Sequence, residues 1–236
     1  MYYFKLAAKN TFRNLTRTLI TLAAICFGCA SLIIAGGLMA DCLRELREST
    51  IRTSLGHLQI YAKGYFEKGA AQPYDFMIQE PQEILTLASS LKSVRQAAPR
   101  LQFFGLLSAG DTTVSIAGQG IDASRERGHN DGIIFDAGQE LSPTDSFSVI
   151  LGKGLARSLG ANAGSSLVLL ANTKDGALNA FDITVKGIFD TGSKELNDWA
   201  LRLPLALAQR LLQVNAVHSI TLLLDETQKT ALVRDD

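Results

Sequence analysis

The sequence predicts an α/β (α+β) domain with an inserted strand-rich lobe, carried on one N-terminal transmembrane helix with a helical stalk. The first observation behind this prediction is an uncharged run of 23 residues, Thr18 to Ala40. The second is that strand-like and helix-like apolar periods alternate from residue 56 onwards. The third is the absence of cysteine after Cys42, so an outer domain of about 180 residues must be stabilised by an apolar core.

The uncharged run 18–40 is long enough to cross a bilayer. As an α-helix it spans about 34 Å, against a hydrocarbon core of about 30 Å. A helix in the core of a soluble protein is the first alternative, but such helices rarely run this long without a charge. A cleaved signal peptide is the second; it has a shorter apolar region and a small residue where this sequence has Leu38. The segment is therefore predicted to be an uncleaved membrane anchor.

The charge of the chain is balanced overall but unevenly distributed. There are 23 basic and 23 acidic residues, which argues against a polycation that binds nucleic acid. The first 17 residues, however, carry a charge of +4 and no acid. Because basic flanks stay in the cytoplasm, this segment predicts a cytoplasmic N-terminus and an external location for the chain beyond residue 41. The residues that set this orientation are Lys5, Lys9, Arg13 and Arg17.

The spacing of these basic residues by four predicts an amphipathic helix over 1–17 that lies at the cytoplasmic membrane interface. A basic flank without a defined helix is the alternative. Within the span, small side chains share one helix face, and such a face lets a second helix approach closely in lipid. The alternative is that small residues are simply common in membrane helices. The predicted packing residues are Ala24, Gly28, Ser31 and Ala35.

Beyond the span, apolar spacing predicts a stalk helix over 41–55, followed by the core domain 56–236. HLQIYA at 57–62 alternates like a strand, 63–75 is a loop, and Pro81 opens a helix that reaches Ser90. A turn at Gly110-Asp111 joins two predicted strands, 101–109 and 112–121. The polar stretch 124–131 is predicted to be a surface loop.

The second half of the domain alternates between strands and helices. Gly160 closes a predicted helix, and Pro204 opens the last amphipathic one. The predicted elements are strand 149–151, helix 153–159, strands 167–171 and 181–189, helix 204–214 and strand 217–224. Because helix 204–214 and strand 217–224 are strongly apolar, they must bury their side chains against a sheet. We expect them to return to the strands at 57–121, which gives an α/β lobe (56–129 and 201–236) and an inserted lobe (about 130–200).

No motif for catalysis or cofactor binding is found. Gly118-x-Gly120-x-x-Ala123 matches a dinucleotide fingerprint loosely, but no apolar helix follows it. There is no P-loop and no nucleophile elbow. His57, His129 and His218 have no second metal ligand at a suitable spacing, and Cys26 and Cys29 are interpreted as small apolar residues of the span. The chain is predicted not to be an enzyme, with no cofactor or metal site.

Four segments, in this order, resemble ABC-transporter permeases of the FtsX/MacB/LolC type, and the lipoprotein-releasing branch most of all. The first is the basic opening with its Asn and Arg pattern, Asn10, Arg13, Asn14 and Arg17. The second is GHLQIYAKGY, a first outer strand. The others are LGKGLARSLGANAGSSLVLLA and a later block. These segments span residues 4–28, 56–65, 151–171 and 187–212.

The resemblance implies a subunit in the bacterial inner (cytoplasmic) membrane, with most of the chain in the periplasm. ATP would be bound by a separate ABC ATPase subunit, and its hydrolysis would move the periplasmic domain. A second permease copy would complete the transporter. The implied substrate is a lipoprotein or another exported molecule. Family permeases continue into three further membrane helices, so we expect this chain to be a truncated or partial permease subunit. A single-pass membrane-anchored binding or adaptor module without an ATPase partner is the alternative, and an anchored enzyme is the least favoured.

Overall fold

A computed structural model describes residues 13–69, 72–126 and 133–235. The chain divides into two compact units, Met1–Glu48 and Ser49–Asp236. The first unit contains most of one long helix, α1 (Leu15–Thr50), none of whose residues is buried. Within the described part of the chain, this is the one helix long and apolar enough to cross a membrane. It contains the whole predicted span 18–40 and much of the predicted stalk.

The second unit is a mixed α/β domain, as the sequence predicts. A π-helical turn, Ile51–Leu55, follows α1 directly. Among the described residues the strands are β1 (Leu58–Tyr61), β2 (Val94–Ala109), β3 (Thr112–Ile121), β4 (Ile134–Gly138), β5 (Ser148–Gly152), β6 (Ser166–Asn172), β7 (Leu178–Asp190), β8 (Ala200–Pro204) and β9 (Ser219–Leu224). The helices are α2 (Pro81–Ser90), α3 (Lys153–Leu159), α4 (Lys194–Trp199), α5 (Leu205–Leu212) and α6 (Thr230–Asp235).

Six of the strands close into a ring. Each pairs with the next in the order β2, β3, β8, β5, β7 and β6, and β6 pairs back onto β2. The pairs β3–β8 and β5–β7 are parallel, and the other four are antiparallel. The length of β2 allows this closure: its first part pairs with β9 and its last part, from Gly105, with β6. Each of these six strands therefore has a partner strand on both sides over at least part of its length.

Two apolar cores hold the ring and its extension together. The main core fills the ring and is covered by α3 and α5, whose buried side chains include Leu155 and Leu211. A second core lies beneath α2, where Leu85 packs against the strand β9. All six residues of β9 are buried, and it pairs with both β1 and β2. The expected return of the last apolar strand to the first part of the domain is therefore confirmed.

Some of the expected elements differ from the structure. Helices α2 and α3 have their predicted bounds, whereas β4, α4 and β8 were not expected. Helix α5 is shorter than 204–214, because Pro204 ends β8 and pairs with Ile121 of β3. The loop 63–75 contains a π-helical turn, Tyr65–Gly69. Strands assigned to both predicted lobes share the ring, and the lobe boundaries stay a prediction.

Candidate functional site

The residues predicted to orient and pack the membrane helix lie on α1 or before it. Lys5 and Lys9 lie outside the described residues, and Arg13 and Arg17 are exposed. The small residues Ala24, Gly28, Ser31 and Ala35 lie along α1, and all are exposed. A Cβ added at Gly28 would meet no atom within 4 Å. Within the described chain, this face is therefore open to a close helix partner.

The turn Ile51–Leu55, which follows α1 in the sequence, is joined closely to the sheet of the second unit. The π-helical turn ends at Gly56, whose N–H donates to the Ile51 carbonyl at 2.9 Å and whose φ is 68°. The next residue, His57, donates its N–H to the Leu222 carbonyl on β9 at 2.8 Å. Strand β1 begins at the following residue. Only two residues therefore separate the turn from β1, and the second of them already bonds to β9.

Arg202 holds the same turn through a second contact. It lies on β8, and its guanidinium donates to the Thr53 carbonyl at 2.6 Å. Its side chain is buried and lies over the ring of Phe189, 5.5 Å from the ring centroid. Thr53 is itself buried and donates its hydroxyl to the Ser49 carbonyl at 2.8 Å. Since β8 belongs to the closed ring, this contact ties the turn to the ring independently of β1.

A buried ion pair lies near this contact. Arg100 on β2 binds both carboxylate oxygens of Glu126, with two N–H···O distances of 2.9 Å, and each residue is 1% exposed. Burial and the charge of Arg100 lower the pKa of Arg202 to about 10, whereas Glu126 and Glu140 act in the opposite direction. Arg202 therefore stays charged at neutral pH. The prediction of a surface loop over 124–131 is wrong at Glu126, because this carboxylate neutralises a buried guanidinium.

Two histidines make hydrogen bonds that connect neighbouring segments of the domain. His57 accepts the Leu224 N–H at Nδ1, and its Nε2 lies 3.1 Å from the Thr227 hydroxyl. His218 is buried and accepts the Gln102 N–H at Nδ1. His129 lies outside the described residues. No group of three potential ligands that could hold a metal occurs in the described part of the chain.

His218 makes the stability of the domain depend on pH. Burial lowers its pKa from 6.5 to about 4, although the Pro73 carbonyl opposes this shift. Between these two values the unfolded chain binds more protons than the folded one, so stability falls as the pH falls. At about pH 4.5 we expect a loss of about 2 kcal/mol relative to neutral pH. His218→Asn, which keeps an acceptor, should remove this part of the pH dependence in denaturant unfolding curves; an unchanged pH profile would contradict it.

The two glycines of the loose dinucleotide pattern have packing roles. Both lie within β3, and a Cβ at Gly118 would collide with the ring of Phe103. A Cβ at Gly120 would lie 2.5 Å from the Cβ of Ala208 on α5. These glycines therefore let a core ring and a covering helix approach the sheet closely.

The junction contacts were missed by the sequence analysis, although a signal is visible in retrospect. Arg100 and Arg202 are single charges within apolar strand segments, APRLQF and ALRLPL. Lone charges in such segments are buried only when they are paired. This pattern indicates a buried polar contact but cannot name the partners, which are 26 and 149 residues away in sequence.

Comparison with known families and structures adds to this geometry. The model of the MacB-like periplasmic core domain family matches residues 18–236. The chain belongs to this family. No curated protein sequence matches the chain.

Several solved structures share the fold of this MacB-like chain, among them the following two. One is the periplasmic region of MacB from Actinobacillus actinomycetemcomitans, with a TM-score of 0.54 and 15% identity, over 75% of this chain and 78% of that one. The other is the extracellular domain of the noncanonic ABC-type transporter YknZ from Gram-positive bacteria. It has a TM-score of 0.53 and 13% identity, over 74% of this chain and 86% of that one.

The expected family is thereby confirmed, and the MacB-like chain is a transporter component with an extracytoplasmic domain and an apolar N-terminal helix. Membership of this family implies membrane association and, in general, an ATPase partner. The assignment to the lipoprotein-releasing branch stays a prediction.

Proposed function

We propose that this MacB-like chain is a permease subunit of an ABC transporter of the lipoprotein-release or export type, which transmits ATPase-driven motion to its periplasmic domain. One observation carries the proposal: the turn Ile51–Leu55, which follows α1 in the sequence, is bonded to the ring through Arg202, and Gly56 alone separates it from His57, which bonds to β9. A displacement of the turn is then passed to β9 through His57 and to the ring through Arg202.

The charges around the span support an orientation for this subunit. Arg13 and Arg17, together with Lys5 and Lys9, precede the apolar segment, and Asp41 is the first charged residue after it. We place the N-terminus in the cytoplasm and residues 41–236 in the periplasm of a bacterial inner membrane. ATP would be bound by a separate ATPase subunit in the cytoplasm. A lipoprotein or another exported molecule would be handled on the periplasmic side.

The domain arrangement fits transmission of this kind. Arg202 lies on β8, at the border between the proposed α/β lobe (56–129 and 201–236) and the proposed inserted lobe (130–200). On one side β8 pairs with β3, and on the other with β5. A pull on Arg202 would therefore act on strands of both lobes at once.

The proposal is tested by hydrogen exchange on the chain purified from its native membranes together with its ATPase. We expect amides 51–58 to change their exchange rate when ATP is added, because these residues connect α1 to the sheet. Arg202→Met should weaken this response while the ATPase still co-purifies. If no ATPase co-purifies, or if ATP leaves the exchange of 51–58 unchanged, the anchored adaptor module becomes the better explanation.

We further propose that the face formed by Ala24, Gly28, Ser31 and Ala35 packs against another membrane helix of the transporter, from a second permease copy or the same complex. Gly28→Leu should weaken crosslinking of the chain to its neighbours in membranes, since a Leu side chain keeps the helices apart. Gly37→Leu, on the opposite face of α1, is the matched control and should leave the crosslinks unchanged. Equal effects of the two substitutions would show that the face has no special role.

A further inference from the structure

The outer surface of β2, β3 and β8 carries a hollow of about 200 Å³. Its floor is made by Ala117 and Ala200, which lie side by side in the parallel pairing of β3 and β8. On the opposite side of β3, Phe104 of β2 pairs with Ala117. Phe104 is 83% exposed, which is unusual for a phenylalanine on a regular strand. Two small side chains next to a large one leave space that the domain does not fill.

Helix α4 forms a fixed wall beside this floor. It contributes Leu196 and Trp199, and Trp199 is 42% exposed. The helix is held by the buried Asn197, whose Oδ1 accepts the N–H and hydroxyl of Thr191, each at 3.0 Å. Its Nδ2 donates to Asp190 at 2.7 Å. The wall is therefore held in place by hydrogen bonds, and the hollow is preformed.

The other end of the hollow is polar and contains one cationic side chain. Gln119 follows Ala117 by two residues on the same side of β3. It pairs with Gln102 of β2 and with Arg202 of β8. Among the described residues that line the hollow, Arg202 is the one ionisable side chain. The carboxylates that act on its charge, Glu126 and Glu140, do not belong to this lining. A preformed apolar hollow with a few convergent polar groups at one end is the usual form of a small-molecule site.

We propose that this hollow binds a small amphipathic aromatic anion. The ring lies on Ala117 and Ala200 between Phe104 and Trp199, and the anionic group points towards Gln102, Gln119 and Arg202. Aromatic side chains at the rim favour a flat ring in edge or offset contact. The volume suits one ring with a short substituent and is too small for a peptide segment. Because Arg202 also binds the Thr53 carbonyl, an occupant would lie against the residue that fixes the junction turn.

The chain contains a single tryptophan, Trp199, so its fluorescence reports on this site alone. The experiment uses the full chain in lipid vesicles and titrates it with para-butylbenzoate. We expect saturable quenching of the Trp199 emission. The neutral para-butylbenzyl alcohol should bind several-fold more weakly, and the cationic para-butylbenzylammonium more weakly still. Equal binding of the cation and the anion, or a linear response without saturation, would overturn the proposal.

A pair of leucine substitutions on one strand tests the location. Ala117→Leu places a larger side chain in the floor of the hollow, where the aromatic ring of the ligand would lie. It should therefore weaken para-butylbenzoate binding about tenfold or more. Ser115→Leu lies on the same exposed side of β3, two residues away and outside the hollow, and should bind like the unmodified chain. Unchanged emission spectra and unfolding midpoints would show that both variants are folded. Equal affinities for the two variants would contradict binding at this hollow.

Discussion

Replacing Glu126 with Met is expected to lower the free energy of unfolding by about 3–5 kcal/mol. The substitution removes the carboxylate that binds Arg100 through two hydrogen bonds of 2.9 Å, and it leaves a guanidinium buried without its counter-ion. The nearby guanidinium of Arg202 repels that of Arg100, and this repulsion adds to the cost once the carboxylate is removed. Thermal or denaturant unfolding of the purified chain, compared with the unmodified protein, measures the effect.

Two controls separate charge burial from ordinary loss of contacts. The double variant Arg100→Met with Glu126→Met removes both charges and should recover most of the lost stability, since the cost lies in one unpaired ion. Lys229→Gln breaks the exposed pair with Glu226 and should leave the unfolding transition almost unchanged, because solvent screens such pairs. A double variant as unstable as Glu126→Met alone would show that packing, and not the unpaired charge, determines the result.

Replacing Leu32 with Arg is expected to raise the free energy of membrane insertion by about 3 kcal/mol. Leu32 lies near the middle of the span 18–40, and its side chain is exposed on α1, where lipid or a partner helix would meet it. The measurement is a reporter enzyme fused after Asp236. In the unmodified chain the reporter should be active in the periplasm, and Leu32→Arg should reduce this activity and the membrane-bound fraction.

The matched control for this experiment lies on the same helix. Leu46 is exposed on α1 but follows the end of the predicted span, between Glu45 and Arg47. Leu46→Arg should therefore leave insertion and reporter activity unchanged. Reporter activity in the cytoplasm of the unmodified chain would refute the proposed orientation, and equal loss with Leu46→Arg would refute the boundaries of the span.

Local signals placed several elements correctly. Pro81 opens α2, and Gly160 ends α3 with a φ of 63°, a conformation that glycine adopts without strain. The turn at Gly110 joins β2 to β3 at the predicted residues. The missed elements β4, α4 and β8 are only five or six residues long. A pattern needs more residues than this to establish a period, so their conformation depends on neighbouring strands.

By itself, the sequence determined the apolar helix, the charge difference around it and the α/β character of the domain. These properties depend on composition and on periods within about 20 residues, which local chemistry specifies. The family was indicated by the resemblance of four segments to known permeases. The tertiary structure alone decided the closed ring, the Arg100–Glu126 pair and the bond from Arg202 to Thr53. Each of these joins segments that are far apart in the chain, up to 149 residues for Arg202 and Thr53. A lone arginine in an apolar strand predicts that a partner exists, but only the packing of the whole sheet determines which group it meets.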